Sequence, residues 1–305
     1  MTDKTTFTSN IIKLLGNLEN LSIFQKTGVL KPITLDVAPT NKCNQNCSFC
    51  SVKNRNKEQE LTYEQVIECT NYFYNKGITG IELTGGGEPT MWPYLSQYIQ
   101  YCVNTLHLKV GLITNGIKLH ELSQEVLQLL TFVRVSLNGI DYNWYPNFKI
   151  PSNVVFSLNY VWHKDSKLDM IKPLLLKILD KYPLARVLKI QKDVFCKDSI
   201  DKNMFDHPRI FVSEKTDDPT PSKCYMGWLK PHLDSDGYIY RCSCSATFNR
   251  QFQSAFRIGK LNDVQDKPDA DLFSTNRCPY CYFAPQNRFV QQIAETANVE
   301  HKEFI

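Results

Sequence analysis

Long apolar runs are missing from this chain of 305 residues. Nowhere do about 18 apolar residues stand together, the length that a membrane-crossing helix needs. An apolar leader is missing as well: Met1, Thr2, Asp3, Lys4 and Thr5 open into mixed polar residues, so the expected location is cytoplasmic, with no membrane partner. Neither sign of charge dominates, since 35 Lys and Arg stand against 31 Asp and Glu for a net charge of +4, and the basic residues form no long stripe. That balance neither requires nor excludes a nucleic-acid substrate. Internal repeats and low-complexity tracts are absent. Histidine is sparse, with six in the chain and none before His107. Cysteine is plentiful: there are eleven, an odd number that cannot pair completely within one chain. In a reducing compartment, metal or cluster ligation accounts for clustered cysteines better than a disulfide framework does.

Three of them, Cys43, Cys47 and Cys50, stand at C-x3-C-x2-C spacing just after the apolar run from Ile33 to Val37, so a strand delivers a tight loop of thiolates. Three thiolates hold three irons of a cubane cluster, whereas a closed cluster takes four. One iron is then open to a ligand from outside the protein. The alternative is a structural zinc site, which normally closes with a fourth Cys or His nearby.

Residues 9–27 have helical apolar spacing, and residues 61–76 read as a helix with Thr62 as N-cap and Gly77 as its stop. Strands are expected at 33–37, 80–83, 110–114, 133–137, 154–160 and 187–191, with helices near 92–106, 120–130, 168–181 and 286–299. Six strands alternating with crossovers make an α/β fold with a parallel sheet, open or curled into a partial (β/α)6 barrel. Residues 138–153 are too rich in Pro and Asn for a long helix, so that crossover should be abbreviated. The expected organisation is an N-terminal helical segment at 1–30, the barrel at 31–213 and an extension at 214–305. Period-two alternation puts Leu35, Val37, Ile81, Leu83, Val133, Val135, Leu137, Phe156, Leu158, Leu188 and Ile190 on one face, under the helices. The other face carries Thr34, Asp36, Glu82, Thr84, Arg134, Ser136, Asn138, Ser157, Asn159, Lys189 and Gln191. So polar a set fits a ligand cavity, or else an internal network satisfied without a ligand.

The second strand closes on Thr84, Gly85, Gly86, Gly87, Glu88, Pro89 and Thr90. A glycine run lets backbone approach a ligand with no Cβ in the way, and Glu88 would offer a carboxylate at the rim. The cysteine loop with Phe49 before its third Cys, this glycine motif, Thr114-Asn115-Gly116 and Arg134-Val135-Ser136-Leu137 together resemble the radical S-adenosylmethionine (radical SAM) enzymes. The resemblance implies that Cys43, Cys47 and Cys50 ligate a 4Fe-4S cluster whose free iron is chelated by SAM. It also implies that Gly85, Gly86, Gly87 and Glu88 lie at the SAM methionine, that Phe49 lies beside the adenine, and that Ser136, Asn138 and Asn159 contact the ribose or carboxylate. The chemistry so implied is reductive cleavage of SAM to a 5′-deoxyadenosyl radical that takes a hydrogen atom from substrate, with flavodoxin or ferredoxin as electron donor.

In the second half, Cys224 and Cys242 enclose the turn sequence Asp234-Ser235-Asp236-Gly237, and Cys278 and Cys281 follow as C-x2-C. The pattern C-x12-G-x4-C with a later C-x2-C resembles the twitch extension, a short relative of the SPASM domain. That likeness implies a second, auxiliary 4Fe-4S cluster on Cys224, Cys242, Cys278 and Cys281. Cys244 is an alternative to Cys242, and a zinc knuckle is the alternative for the whole group. Cys69, Cys102 and Cys196 read as ordinary thiols. Tyr160, Trp162 and His163 should close the fifth strand at the cavity mouth, with Tyr160 and His163 as candidates for substrate contact or proton exchange. Arg134, Lys189 and Arg241 either meet an anionic substrate group or pair internally with Asp36 or Glu82.

A closed auxiliary cluster points first to an oxidative tailoring reaction in which that cluster relays an electron. The alternative is a redox-neutral isomerisation or epimerisation of a nucleoside, a nucleic-acid base or a peptide. A non-enzymatic iron-sulfur carrier or sensor is the third reading.

Overall fold

The computed structural model describes residues 11–193, 196, 200–213, 220–244, 254, 256–265, 273–275, 278 and 281–296. Its centre is an open, mostly parallel sheet. Strands β1 (Thr34–Val37), β2 (Gly80–Leu83), β3 (Lys109–Thr114), β4 (Phe132–Ser136), β5 (Val155–Trp162), β6 (Ala185–Lys192) and β7 (Ile210–Ser213) lie side by side in chain order, all parallel. The sequence reading stops at six strands; β7 is the seventh, a four-residue strand too short to declare itself by periodicity. The chain then returns to the other edge. Past β8 (Lys223–Cys224), strand β9 (His232–Leu233) joins β1 in parallel, and β10 (Ile239–Tyr240) and β11 (Arg257–Gly259) extend that edge antiparallel. The C-terminal hairpin is thus built into the barrel sheet. A separate ribbon pairs β8 with β12 (Phe273–Ser274).

The helices form where propensity, capping and an apolar stripe agree. Helix α3 (Tyr63–Lys76) starts at a capping box in which Thr62 Oγ1 accepts from Gln65 N–H while Gln65 Oε1 accepts from Thr62 N–H, and it stops at Gly77 with φ of 103°. The expected helix at 92–106 is divided into α4 (Leu95–Gln100) and a π turn (Tyr101–Thr105), and the one at 120–130 shortens to α5 (Gln124–Gln128) behind its Ser123 cap. Residues 138–153 hold only a 3-10 turn (Asn138–Tyr142), as their composition implies. With α6 (Leu168–Lys181), these elements cover the apolar face, where Leu35, Val37, Leu83, Val133, Leu158 and Ile190 are wholly shielded.

A second core joins the two ends of the chain. Leu14 of α1 (Ile11–Leu15) and Leu21 and Phe24 of α2 (Leu18–Thr27) pack with Tyr225, with Met226 and Leu229 of α7 (Met226–Leu229), and with Val290 of α9 (Ala284–Glu295), the helix that follows α8 (Leu261–Gln265). Among the described residues no helix is long and apolar enough to cross a membrane.

Candidate functional site

Cys43, Cys47 and Cys50 lie beyond the C-terminal end of β1, all partly buried. Their loop is braced locally. Cys50 N–H donates to the Cys47 carbonyl at 3.2 Å, and Arg55 bridges the Asn41 carbonyl (Nε, 2.8 Å) and Cys50 Sγ (Nη1, 3.5 Å). Burial, then the neighbouring Cys50 and Cys43, push the Cys47 thiol up to about 12. The three sulfurs therefore sense one another and would gain by sharing a cationic centre. Among the described residues no three His, Cys, Asp or Glu side chains are gathered tightly enough for a single metal ion. A cubane takes a different iron for each thiolate, whereas a zinc site gathers its ligands on one ion.

The glycine turn after β2 lies directly on this loop. Gly87 N–H donates to the Thr40 carbonyl at 2.9 Å and Glu88 N–H to the Lys42 carbonyl at 2.8 Å. A Cβ on Gly87 would strike the backbone of Asn41 and Lys42, and one on Gly86 the Asn41 side chain. Glycine is required here because two backbones meet. The Glu88 carboxylate, expected at the rim, is turned inward and is 3 % exposed. It accepts from Thr114 Oγ1 (2.6 Å), Asn115 N–H (2.7 Å), Thr90 Oγ1 (2.7 Å) and Thr90 N–H (3.1 Å), which ties the end of β2 to the end of β3. Burial raises its pKa and these bonds oppose the rise. Glu88 is a bracket that holds the glycine backbone in place.

Farther along the same rim, Asn138 locks β4 to β5: its Oδ1 accepts from Val161 N–H at 2.7 Å and its Nδ2 donates to the Val161 carbonyl at 2.8 Å. Ser136 Oγ lies 3.4 Å from Asn138 Oδ1. Asn159 stands in register between Ser136 and Lys189. Tyr160 is wholly buried on the helix-facing side, since period two sets it with Leu158 and Trp162, and its hydroxyl donates to Asp141 Oδ1 at 3.0 Å. It therefore does not enter the cavity as expected. His163 is 4 % exposed; its Nε2 lies 3.3 Å from Asp141 Oδ2, and its ring stacks on Phe49 with centroids 4.7 Å apart. Asp141 is the hub of this corner, and nothing in the sequence singled it out. Ser48 N–H donates to Tyr142 Oη at 2.9 Å, so the 3-10 turn steadies the cysteine loop.

Asp36 and Glu82 are neighbours in register on the lumen face. Lys230, which sequence reasoning missed, reaches both, with Nζ 2.7 Å from Glu82 Oε1 and 3.9 Å from Asp36 Oδ2; His232 Nδ1 is 3.5 Å from Asp36 Oδ2. Burial works against the charge on Lys230, but Glu82 and Asp36 outweigh it and lift its pKa. Burial and then Arg134 lower Lys189 to about 8. Lys13, from α1, is lowered by burial while Glu82, Arg134 and Lys230 act on it. Lys230 thus joins the internal pairing with Asp36 or Glu82 anticipated for Arg134, Lys189 and Arg241.

The other cysteines also converge. Cys224 ends β8 and Cys242 follows β10; burial raises Cys224 to about 12 and Cys278 to about 11, and for both the largest effect of a neighbouring charge is that of Cys242, with Cys281 acting as well. Cys281 Sγ accepts from Asn287 Nδ2 at 3.3 Å, while Asn287 Oδ1 accepts from Tyr225 N–H (2.7 Å) and Met226 N–H (3.2 Å). Cys244 is raised chiefly by its hydrogen bond with Cys242, then by burial. Cys242 thus acts electrostatically on both Cys224 and Cys278, and Cys244 is hydrogen-bonded to it. Cys69, Cys102 and Cys196 are buried elsewhere in the main core.

Residues 37–149 match the radical SAM superfamily. A probable GTP 3′,8-cyclase of Archaeoglobus fulgidus is 31 % identical over 116 residues, 36 % of this chain and 38 % of that protein. A UPF0026 protein of Helicobacter pylori is 30 % identical over 121 residues, 36 % of this chain and 39 % of the relative. The matched stretch thus spans about two fifths of the curated relatives' length. The crystal structure of Streptococcus suis SuiB bound to its precursor peptide SuiA shares the fold with a TM-score of 0.57 at 17 % identity, over 86 % of this chain and 71 % of that one. The matched residues include the cysteine loop, the glycine turn with its Glu88 bracket and the rim residue Asn138, and over this stretch the chain carries a radical SAM domain.

Proposed function

We propose that this chain is a radical SAM enzyme acting on a nucleotide-like substrate in a redox-neutral ring closure or rearrangement. The observation that carries the reading is the meeting of the cysteine loop and the glycine backbone at the ends of β1 and β2, above a polar lumen lined by Arg134 and Lys189. Relatives named GTP 3′,8-cyclase, a ring-forming activity on a nucleotide, favour this over net oxidation.

Cys43, Cys47 and Cys50 would hold a 4Fe-4S cluster and leave one iron for SAM. When bound, the cluster supplies the electron that cleaves SAM to a 5′-deoxyadenosyl radical, which takes a hydrogen atom from the substrate. The chain's own residues orient and enclose. The backbone of Gly85, Gly86 and Gly87 offers a surface for the methionine end, held flat by Glu88. Phe49, backed by His163 and Asp141, forms a ring surface for the adenine. Ser136 and Asn159 offer polar atoms to the ribose or carboxylate, while Asn138 keeps their strands in register. Cys224, Cys242, Cys278 and Cys281 would hold an auxiliary cluster, and flavodoxin or ferredoxin is the fitting class of electron donor.

The test is anaerobic reconstitution followed by SAM, reductant and GTP. The expected products are 5′-deoxyadenosine and an isomer of GTP with unchanged mass. A product lighter by two hydrogens restores the oxidative reading. Failure to cleave SAM under any condition leaves an iron-sulfur carrier.

A further inference from the structure

The chain turns back on itself just after the third cysteine of the loop. Lys53 N–H donates to the Cys50 carbonyl at 3.1 Å and Arg55 N–H to the Val52 carbonyl at 2.9 Å, two successive turns that return the Arg55 side chain to the residues it has just left. Its guanidinium is then fixed at three points. Nε donates to the Asn41 carbonyl at 2.8 Å, and Nη1 donates to the Val52 carbonyl at 3.0 Å and to Cys50 Sγ at 3.5 Å. Both carbonyls are uncharged, so they orient the guanidinium without neutralising it. The far anchor is itself held: buried Asn41 donates from Nδ2 to the Asn56 carbonyl (3.0 Å) and to Gln59 Oε1 (3.2 Å), and its N–H donates to the Gln59 carbonyl (2.9 Å). At Cys47 the contact is of the opposite kind, with Sγ donating to Gln45 Oε1 at 3.8 Å. Among these hydrogen bonds the cation is delivered to one thiol of the three.

We propose that Arg55 is a positioning residue for the cluster that Cys43, Cys47 and Cys50 would hold, and that its bond to the Cys50 sulfur raises the reduction potential of that cluster. This deepens the radical SAM reading given above and rests on it for the presence of the cluster. Reduction passes one electron from a flavodoxin or ferredoxin, with no bond made or broken and no proton taken up. It adds negative charge beside three anionic sulfurs, and a fixed cation bonded to one of them stabilises the reduced form more than the oxidised one. Hydrogen bonds to cluster sulfurs are one of the means by which a protein sets such a potential. Arginine suits the place because its charge cannot be lost and its fork reaches carbonyls and sulfur together, which an ammonium does not.

The test is redox titration of the anaerobically reconstituted full chain, followed by electron paramagnetic resonance at the signal that changes when SAM is added. Arg55→Gln should lower the potential by about 59 mV, a tenfold shift in a one-electron equilibrium. Arg55→Lys, which keeps the charge without the fork, should recover part of that shift. Lys53→Gln removes an exposed charge from the same loop and should move the potential by less than about a third as much, because water screens it. Arg55→Gln should still cleave SAM under a strong chemical reductant, whereas with flavodoxin its rate should fall about tenfold. An unchanged potential in Arg55→Gln, with SAM cleavage intact, overturns the proposal and leaves the radical enzyme standing. An equal shift in Lys53→Gln also overturns it, since the effect would then belong to net charge and not to the bonded guanidinium. If neither Arg55 variant holds the iron that wild type holds, Arg55 is a brace of the loop and the tuning role falls. If wild type shows no SAM-responsive signal and cleaves no SAM, the radical SAM reading fails and this inference fails with it.

Discussion

The two cysteine groups of this protein are assembled in opposite ways. Cys43, Cys47 and Cys50 lie on one loop, and their setting is made by backbone close in space and sequence: the Arg55 bridge to the Asn41 carbonyl, and the glycine turn lying on Thr40 and Lys42. Cys224, Cys242, Cys278 and Cys281 come instead from a two-residue strand, the end of a hairpin and the approach to α9, joined through Asn287 and the core shared with α1 and α2. On the proposed reading, a loop that leaves one iron open would have to hold its shape with few ligands. A four-thiol group can let its ligands define the shape. The first set therefore needs a rigid scaffold, and the second can be part of one.

The sharpest way to break that comparison is to remove each set in turn. Cys43→Ala/Cys47→Ala/Cys50→Ala should abolish 5′-deoxyadenosine formation completely yet keep about four irons per chain, whereas Cys278→Ala/Cys281→Ala should keep about four irons and retain SAM cleavage. Iron and sulfide counts with product chromatography decide it; no iron in the triple variant would end the two-cluster reading.

Glu88→Ala comes next, because it strands the buried donors of Thr90, Thr114 and Asn115. Urea unfolding should show a loss of roughly 3–5 kcal/mol, with SAM cleavage falling alongside. Preserved stability would mean that the glycine turn does not depend on its bracket.

The lumen between the two groups should respond in the other direction. The folded pKa of Lys189 is depressed to about 8 from 10.5, so its charge opposes folding at neutral pH. That cost is fully present below about 8 and disappears as pH rises toward 10.5. Lys189→Met should therefore be more stable than wild type at pH 7, by on the order of 2–3 kcal/mol, and the gap should close between those two pH values. A gap independent of pH would show that packing, and not charge, separates the two proteins.

The smallest effect is expected at Asn287→Ala, which removes the bonds to Cys281, Tyr225 and Met226. A loss of about 1–2 kcal/mol and faster iron release from the C-terminal group, with SAM cleavage intact, would fit its place. Equal iron release from both groups would contradict the separation drawn between them.

Much of the frame is legible without coordinates. The capping box at Thr62 and Gln65, the stop at Gly77 and the alternation of Leu35, Val37, Ile81 and Leu83 are short-range signals, and each element forms where they place it. The same alternation should have kept Tyr160 out of the cavity, since it shares parity with Leu158; proximity to a strand end misled where period two did not. β7 and β9 carry too few residues for any pattern, and they form because β6 and β1 offer open edges. Asp141 and Lys230 are a lone acid and a lone base in sequence, and they gain roles through partners the fold brings to them, such as His163 for Asp141 and Glu82 for Lys230.

By itself the sequence determined the order of the first six strands, the triad of thiols and the glycine turn, because spacing, parity and capping act within a few residues and need no partner from afar. Only the tertiary structure decided that Glu88 turns inward, that Lys230 pairs with Asp36 and Glu82, and that Asn287 reaches Cys281. Those outcomes depend on which charges and hydrogen-bonding groups are taken out of water together, and that is fixed by how the strands are ordered in the open sheet.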